Sequence, residues 1–260
     1  MTRVYKALSL FSGGGGLDIG VSQAGFKILA HIENDPHCCN TLRHAAKRDK
    51  RNTLVIEADI RDIEPQELLE DLNLIPSKLD LLFGGPPCQP FSQIGKQRGL
   101  EDERGLLLFQ LSRFAEVFKP KAILIEQVKG LLSAKDAGGK RGGIFDTLLT
   151  DLEDLGYIPK WQVINTADYG IPQLRKRVFI IATQQPNGFH FPEPTHSPEG
   201  EANLFFSLQP YVAAGDVITD LGPPSPKGTP REDSHVDVTP EGDRFRINGV
   251  PAGSYLAAQT

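Results

Sequence analysis

The chain has 260 residues, of which 39% are hydrophobic and 23% charged, and this globular composition excludes extensive disorder. No apolar run approaches the ~20 residues that a membrane-spanning helix needs, and glycines interrupt the amino-terminal stretch that a signal peptide would keep apolar, so we expect a cytoplasmic protein with no membrane partner. The net charge is −5, but residues 184–260 hold 4 basic and 10 acidic residues against 24 and 23 in the remainder, so charge does not exclude a nucleic-acid partner for the main part.

Residues 1–183 alternate short apolar runs with amphipathic segments, which is typical of β-α-β units around a parallel sheet. The predicted strands are Ala7–Phe11, Lys27–Ile32, Leu54–Glu57, Leu79–Phe83, Ala122–Glu126, Gln162–Thr166 and Val178–Thr183. The predicted helices are Leu17–Ala24, Pro36–Lys47, Pro65–Leu72, Gly105–Phe118 and Ile144–Leu155. This order predicts an open, doubly wound α/β domain whose ligands lie at the carboxyl ends of the strands.

Residues 184–260 have a different character. Eleven of the 20 prolines fall there, and the only helix-like stretch is about Val212–Leu221. We therefore expect a second region that is an irregular, proline-rich extension of the α/β domain.

The three cysteines, Cys38, Cys39 and Cys88, cannot form a disulfide framework, and none belongs to a C-x-x-C pair of the kind that zinc sites use. A reducing compartment fits this usage, and we expect no metal. Cys38 and Cys39 are expected to pack on a helix as small apolar residues.

The first predicted strand runs into the glycine-rich turn Ser12–Gly16, which would let a ligand approach the backbone closely. A dinucleotide motif would need glycine where Asp18 stands, and a phosphate loop would need lysine where Leu17 stands. Glu33 and Asp59 follow the next two strands, where carboxylates can accept hydrogen bonds from ribose hydroxyls and an adenine amino group. The combination indicates a nucleoside ligand without phosphate contacts, although a turn of this kind can also be purely structural.

The loop Gly84–Ser92 follows the fourth predicted strand and contains three prolines, which restrict its backbone. A cysteine held rigidly at this end of the sheet, beside the nucleoside, has the placement of a nucleophile. A buried structural thiol fits the same residue types equally well, so the loop alone leaves both interpretations of Cys88 open.

Four motifs follow one another within residues 4–183: Phe11–Leu17, Pro86–Gln89, Glu126–Val128 and Gln173–Arg177. Their residues and order resemble those of the cytosine-5 DNA methyltransferases. The resemblance implies a Rossmann-like catalytic domain over residues 1–183, S-adenosylmethionine as methyl donor, double-stranded DNA as partner, and a bacterial restriction–modification system as setting.

The resemblance also implies a role for each matched residue. Cys88 would attack carbon-6 of a flipped cytosine, Glu126 would bind nitrogen-3, Arg175 would help to hold the base, and Arg177 would support that site. Ser92 and Lys96 would contact DNA phosphates. The residues implied in binding the donor are Phe11, Gly13, Gly14, Glu33, Asn34, Asp59, Ile60, Pro87 and Leu107.

The chain departs from the family pattern in three respects. Ser9 stands where Asp is usual, and Gln127, one methylene longer, stands where Asn is usual, which puts the placement of Glu126 in question. Family members also continue into a target-recognition domain, which we do not find here. We expect that domain to belong to a further carboxyl-terminal part of the protein or to a second polypeptide. Residues Arg246–Thr260 resemble the stretch that leads towards it.

Three other functions are weighed against DNA methylation. Some relatives methylate tRNA, and a methyl-transfer assay on both nucleic acids would separate the two activities. A non-catalytic module that binds DNA or a nucleoside would fit the lack of a recognition domain, but the presence of both Cys88 and Glu126 argues against it. A Rossmann-type dehydrogenase is disfavoured by the glycine spacing.

Overall fold

The computed structural model describes residues 3–87, 107–186, 188–202 and 207–217. A seven-stranded sheet has the order β3-β2-β1-β4-β5-β7-β6. Its strands are β1 (Tyr5–Leu10), β2 (Phe26–Glu33), β3 (Leu54–Glu57), β4 (Leu81–Gly84), β5 (Ala122–Val128), β6 (Ile158–Asn165) and β7 (Lys176–Thr183). The helices between these strands are α1 (Gly16–Gln23), α2 (Pro36–Arg48), α3 (Pro65–Asp71), α4 (Gln110–Phe118) and α5 (Gly143–Asp154).

The structure therefore confirms the doubly wound α/β architecture, and each predicted strand and helix is present with its bounds shifted by a few residues. Strand β6 begins at Ile158 rather than Gln162, because it lies at the edge of the sheet, where Pro159 is tolerated. Helix α4 begins at Gln110 rather than Gly105. Leu107 to Phe109 form a turn before it, and residues 105 and 106 lie outside the described residues.

One strand departs from the expected parallel sheet, because β7 pairs antiparallel with β5. Only residues 166–175 connect β6 to β7. A parallel connection needs a crossover of a dozen or more residues, usually containing a helix. The short connection instead returns the chain between β5 and β6, and it carries the last of the four sequence motifs.

Alternate side chains of the central strands lie on opposite faces of the sheet. Leu8 and Leu10 of β1 belong to the larger hydrophobic cluster, together with Ile123 and Ile125 of β5. Ala7 belongs to a smaller cluster with Val21, Ile28, Leu81 and Phe83. Both faces of the central strands are thus covered by hydrophobic side chains. A ligand can therefore reach these strands only at an end of the sheet, such as the edge where their carboxyl ends meet.

Local sequence signals set the helix ends. Asp35 precedes α2, and its carboxylate accepts hydrogen bonds from the backbone N–H groups of His37 and Cys38, with Pro36 in the first turn. Gly25 and Gly156 follow α1 and α5 with φ values of 90° and 84°.

The two cysteines of α2 are packed as predicted, Cys39 with 0% exposure and Cys38 partly buried. Burial is the main cause that raises the pKa of each thiol. Both groups are therefore expected to stay protonated at neutral pH.

Two compact units divide the chain: Met1–Val163 with Arg177–Phe191, and Ile164–Lys176 with Pro192–Thr260. In the second unit the proline-rich extension forms a small sheet, in which β10 (Ser207–Pro210) pairs with β8 (His196–Ser197) and β9 (Glu201–Ala202). A short helix, α6 (Ala214–Val217), lies within the predicted helix-like stretch. Residues from 218 onwards lie outside the described part. Among the described residues, no helix is both long and apolar enough to cross a membrane.

An ionic clamp lies before the first residue of β4. The buried Asp80 carboxylate accepts hydrogen bonds from Arg3 Nη2 at 2.7 Å, the Lys6 backbone N–H at 2.9 Å and Lys121 Nζ at 2.5 Å. Burial acts to raise the pKa of this carboxyl, but the hydrogen bonds from Lys121 and Lys6 and the nearby charges outweigh it, so the pKa lies below its ordinary value. The clamp thus connects residues at the beginnings of β1, β4 and β5.

We predict that Asp80→Asn lowers the free energy of unfolding at pH 7 by about 1–3 kcal/mol, since the clamp loses its charge-assisted hydrogen bonds. Because the folded-state pKa is depressed, this stabilisation is full above the unfolded pKa of about 4 and is lost as pH falls through the folded value. Denaturant unfolding between pH 3 and pH 8 measures it, with the exposed Asp71→Asn as control. If the wild type exceeded Asp80→Asn in free energy of unfolding by the same amount at pH 3 as at pH 7, the ionised Asp80 carboxylate would not be the source of the stabilisation.

Candidate active site

The candidate active site lies where the strand order reverses. From β1 the chain goes outward through β2 and β3, then returns to the other side of β1 as β4 and continues to β5. Open α/β sheets bind ligands at the carboxyl ends of the strands beside such a reversal, which here are β1 and β4.

The glycine turn after β1 is built from left-handed backbone positions. Gly13 and Gly15 have φ values of 54° and 88°, and Phe11 also has a positive φ of 54°. A left-handed conformation costs a residue such as phenylalanine roughly 1–2 kcal/mol, so the surrounding contacts must hold it. Ser9 and Ser12, both buried, join their hydroxyls at 2.8 Å. Ser9 thus braces the turn from the position where the family usually has Asp.

Glu33, the last residue of β2, binds the glycine turn directly. One carboxylate oxygen accepts the backbone N–H of Gly13 at 2.7 Å, and the other accepts those of Asn34 and Asp35 at 2.9 Å each. A carboxylate has about four acceptor positions, so Glu33 keeps capacity for a ligand hydroxyl. The sequence had predicted only the ligand contact.

A cavity of about 250 Å³ opens between these groups, close to the lower end of the roughly 300–1,000 Å³ of small-molecule sites. It is lined by Phe11, Gly13, Ile32, Glu33, Asn34, Ala58, Asp59, Ile60, Gly85, Pro87 and Leu107. Eight of the nine residues expected to bind the donor are thus brought together, and Gly14 is not among the lining residues. Ile32, Ala58 and Gly85 were missed, although their positions at or just after strand ends are a usable signal.

Two of the lining residues, Asp59 and Ile60, lie at the start of the short 3₁₀ turn Ile60–Asp62. Arg61 donates to the Asp59 carboxylate through its backbone N–H, Nε and Nη2. The side-chain hydrogen bond from Arg61 is the main cause that lowers the pKa of Asp59, so this carboxyl stays ionised at neutral pH. Arg113 of α4 donates to the carbonyls of Ile60 and Ile63 at 2.7 and 2.9 Å and so anchors the turn.

The chemistry of the lining fits a nucleoside. The apolar side chains and Pro87 can contact a base, while the carboxylates of Glu33 and Asp59 can accept hydrogen bonds from hydroxyl and amino groups. Among the described residues that line the cavity there is no lysine or arginine, as a ligand bound without phosphate contacts would allow.

A second group of residues lies at the end of β4 and β5. A Cβ atom on Gly84 would overlap the carbonyl oxygen of Leu10, and one on Gly85 would lie 3.2 Å from Oε2 of Glu126. Glycine is therefore required at Gly84 for the strands to approach, and at Gly85 it leaves room for the Glu126 carboxylate.

Gln127 supports the start of the cysteine loop. Its side chain is buried, and its Nε2 donates to the carbonyl of Pro86 at 2.7 Å. Pro86 lies two residues before Cys88, which itself is outside the described residues. Gln127, which stands where the family usually has Asn, thus has the Pro86 carbonyl as its hydrogen-bond partner.

Glu126 forms an ion pair with Arg177 of β7, in which Arg177 Nε lies 3.0 Å from Oε1. The side chains are 28% and 19% exposed, so the pair is partly shielded from water but remains reachable. In the antiparallel pairing of β5 with β7, Arg177 lies opposite Val128. Val128 follows Glu126 by two residues, so the side chains of Glu126, Val128 and Arg177 lie on the same face of the sheet.

The remaining predicted site residues are placed as follows. Arg175 is exposed and belongs to the second compact unit, and its carbonyl accepts the backbone N–H of Thr166 at 3.0 Å. Ser92 and Lys96, like Cys88, lie outside the described residues.

The chain belongs to the C-5 cytosine-specific DNA methylase family, whose family model matches residues 5–234. This confirms the resemblance predicted from the four motifs. The chain is 40% identical over 233 residues to the type II methyltransferase M.AquIA of Picosynechococcus, covering 85% of this chain and 90% of that protein. It is 40% identical over 218 residues to M.NgoFVII of Neisseria gonorrhoeae, covering 83% of this chain but only 53% of that relative.

Solved structures agree with this fold. A crystal structure described as a DNA modification methyltransferase from an Escherichia coli prophage matches with a TM-score of 0.64 and 25% identity, over 88% of this chain and 58% of that one. The Entamoeba histolytica methyltransferase EhMeth matches with a TM-score of 0.57 over 84% of this chain and 65% of that one, and at 21% identity it supports the fold alone. The fold is thus the Rossmann-like fold of S-adenosylmethionine-dependent methyltransferases. The chain spans only about half the length of M.NgoFVII and of the prophage enzyme.

We predict that Gln127→Asn lowers the free energy of unfolding by about 1–3 kcal/mol, because the shorter amide leaves the buried Pro86 carbonyl without its donor. Denaturant unfolding measures the change, and Gln66→Asn on the exposed face of α3 is the matched control. If the Asn variant were as stable as the wild type, the Gln127–Pro86 hydrogen bond would not support the loop.

Proposed function

We propose that the chain is the catalytic part of a bacterial type II DNA methyltransferase that transfers a methyl group from S-adenosylmethionine to carbon-5 of a cytosine in double-stranded DNA. The observation that carries the proposal is that one sheet edge holds both the nucleoside-type cavity and the Glu126–Arg177 pair, with Gly85 close to both. Bacterial relatives support a cytoplasmic restriction–modification setting.

The donor is assigned to the cavity of about 250 Å³. Glu33 would accept hydrogen bonds from its ribose hydroxyls while it holds Gly13, and Asp59 with Ile60 would bind its adenine. Phe11, Pro87 and Leu107 would contact its apolar faces. When bound, S-adenosylmethionine would supply an electrophilic methyl group.

Cys88 is assigned as the nucleophile, on its place in the Pro-Cys-Gln motif and at the end of the segment that Gln127 supports. Its thiolate would add to carbon-6 of the cytosine, which moves electron density to carbon-5 and makes that carbon nucleophilic. Carbon-5 would then take the methyl group as the methyl–sulfur bond of the donor breaks and S-adenosylhomocysteine leaves. Loss of the carbon-5 proton to solvent would re-form the 5,6 double bond and expel the Cys88 thiolate from carbon-6. Flipping the base out of the duplex costs a few kcal/mol, which contacts in the pocket offset.

Glu126 is assigned to nitrogen-3 of the same ring, where a hydrogen bond stabilises the charge that builds up as the thiolate adds. Arg177 holds one oxygen of the Glu126 carboxylate, and the lack of a side chain at Gly85 leaves space beside the other oxygen. Arg175, Ser92 and Lys96 are assigned to contacts with the substrate DNA, by their matches to the family motifs.

Recognition of the target sequence is assigned to a further carboxyl-terminal part of the protein or to a second polypeptide. Relatives of about twice the matched length, such as M.NgoFVII, support this assignment.

We predict that Glu33→Ala raises the dissociation constant of S-adenosylhomocysteine by about tenfold or more, since hydrogen bonds to a charged group contribute about 1.5–3 kcal/mol. Isothermal titration measures the affinity. Glu57→Ala is the matched control, because Glu57 ends the neighbouring strand but pairs with Arg43 outside the cavity. If the dissociation constant rose equally in Glu33→Ala and Glu57→Ala, Glu33 would not be a direct contact of the ligand.

We predict that DNA containing 5-fluorocytosine, with S-adenosylmethionine present, forms a covalent adduct that intact-mass spectrometry detects, because fluorine at carbon-5 blocks the final elimination. Cys88→Ser should abolish the adduct, whereas Cys38→Ser on α2 should retain it. An adduct that survives Cys88→Ser would place the nucleophile elsewhere and overturn the mechanism.

A further inference from the structure

We propose that Asp168 is a positioning residue, which Asn165 and Tyr211 hold in place so that the turn of residues 166–175 presents Arg175 in one geometry. The part of this proposal that concerns substrate rests on the proposed function of Arg175. The part that concerns the turn is independent of it.

A polar cluster surrounds the Asp168 carboxylate. Oδ1 accepts hydrogen bonds from the Tyr211 hydroxyl and from Asn165 Nδ2, the latter at 2.9 Å, and Asn165 Nδ2 also lies 3.4 Å from the Tyr211 oxygen. Asn165 is only 9% exposed. A partly buried carboxylate that accepts two directional hydrogen bonds has one favoured orientation, because any other leaves polar groups without partners in a low dielectric.

The cluster ties the turn to the carboxyl-terminal extension. Tyr211 follows β10, and its backbone N–H donates to the Ser197 carbonyl in β8 at 3.0 Å. Thr195 donates its N–H to the Asp168 carbonyl at 2.9 Å, and the Tyr169 hydroxyl donates to the Pro192 carbonyl at 2.8 Å. The extension therefore contacts the turn through both side chains and backbone.

Gly170 shows how closely the extension packs. Its φ is 81°, and a Cβ atom there would lie 2.7 Å from Cε1 of His196. A side chain at this position would have to displace the His196 ring, so the absence of a side chain lets β8 lie against the turn.

The same turn holds the backbone at Arg175. Thr166 donates its N–H to the Arg175 carbonyl at 3.0 Å and its hydroxyl to the Gln173 carbonyl at 2.6 Å. Ile171 donates its N–H back to the Thr166 carbonyl at 3.3 Å. Thr166 lies between Asn165 and Asp168 in sequence, so a shift of the cluster is transmitted through one residue to the backbone of Arg175.

A structural role alone would not need this chemistry, since an apolar contact could fasten the extension at lower cost. In the described part of the chain, Asn165 Oδ1 is buried without a hydrogen-bond partner. A buried amide that leaves an oxygen unpaired reduces stability. A cluster that accepts this cost fits a requirement for a defined orientation of the turn better than a requirement for adhesion alone.

The first test is backbone hydrogen exchange of the full chain without substrate. Tyr211→Phe removes the hydroxyl and keeps the ring, and it should speed exchange at the Thr166 and Ile171 amides by about tenfold, as loss of one hydrogen bond to a charged group does. Asp168→Asn should act in the same direction. Tyr157→Phe is the matched control, because its hydroxyl donates to the Pro120 carbonyl in the other unit. Unchanged exchange in residues 164–176 would overturn the proposal.

The second test is a double-mutant cycle on the rate of 5-fluorocytosine adduct formation, with Tyr211→Phe and Arg175→Ala. We expect Tyr211→Phe to slow the reaction about tenfold in the wild-type background and to have little further effect with Arg175→Ala. Equal effects in both backgrounds would overturn the link to Arg175. The two tests can also give different answers. If Tyr211→Phe speeds hydrogen exchange at the turn but the wild-type chain forms no adduct, Asp168 positions the turn and the proposed function is wrong.

Discussion

The close approach of β4 to β1 is the constraint on which the site depends. Gly84 has no room for a Cβ atom because the Leu10 carbonyl occupies that space. This contact brings the glycine turn after β1 and the residues Gly85 to Pro87 after β4 to the same edge of the sheet, where the strand order reverses. Without it, the cavity and the Glu126–Arg177 pair would not share one edge of the sheet.

Within this frame, backbone groups contribute much of the positioning. Glu33 holds Gly13 and lines the cavity, and Gln127 holds Pro86, which lies two residues before the proposed nucleophile. Arg113 anchors the turn at Ile60 through carbonyl oxygens. Each of these side chains fixes a backbone segment that bears a proposed ligand contact, which is how a rigid scaffold keeps reactive groups within reach of one another.

Much of this arrangement could be predicted from the sequence, because the pattern is local. Apolar runs located the strands, and the carboxyl ends of parallel strands must meet at one edge, so Glu33 and Asp59 were expected near the glycine turn. The contacts that connect distant segments could not be predicted in this way. The Asp80 clamp, the Gln127–Pro86 hydrogen bond and the Asp168–Tyr211 contact each join residues 40 or more positions apart, and residue type alone does not select such partners. The antiparallel direction of β7 follows from a connection too short for a crossover, a feature that strand patterns leave undetermined.

The central claim is that the cavity at the carboxyl edge binds the methyl donor next to the Glu126–Arg177 pair. A crystal structure of the chain with S-adenosylhomocysteine tests it most directly. The account predicts that the ribose hydroxyls lie within hydrogen-bond distance of Glu33, with the adenine between Phe11 and Ile60 and the sulfur directed towards Gly85. A nucleoside bound away from the glycine turn, with the cavity between Glu33 and Ile60 filled only by water, would contradict the account.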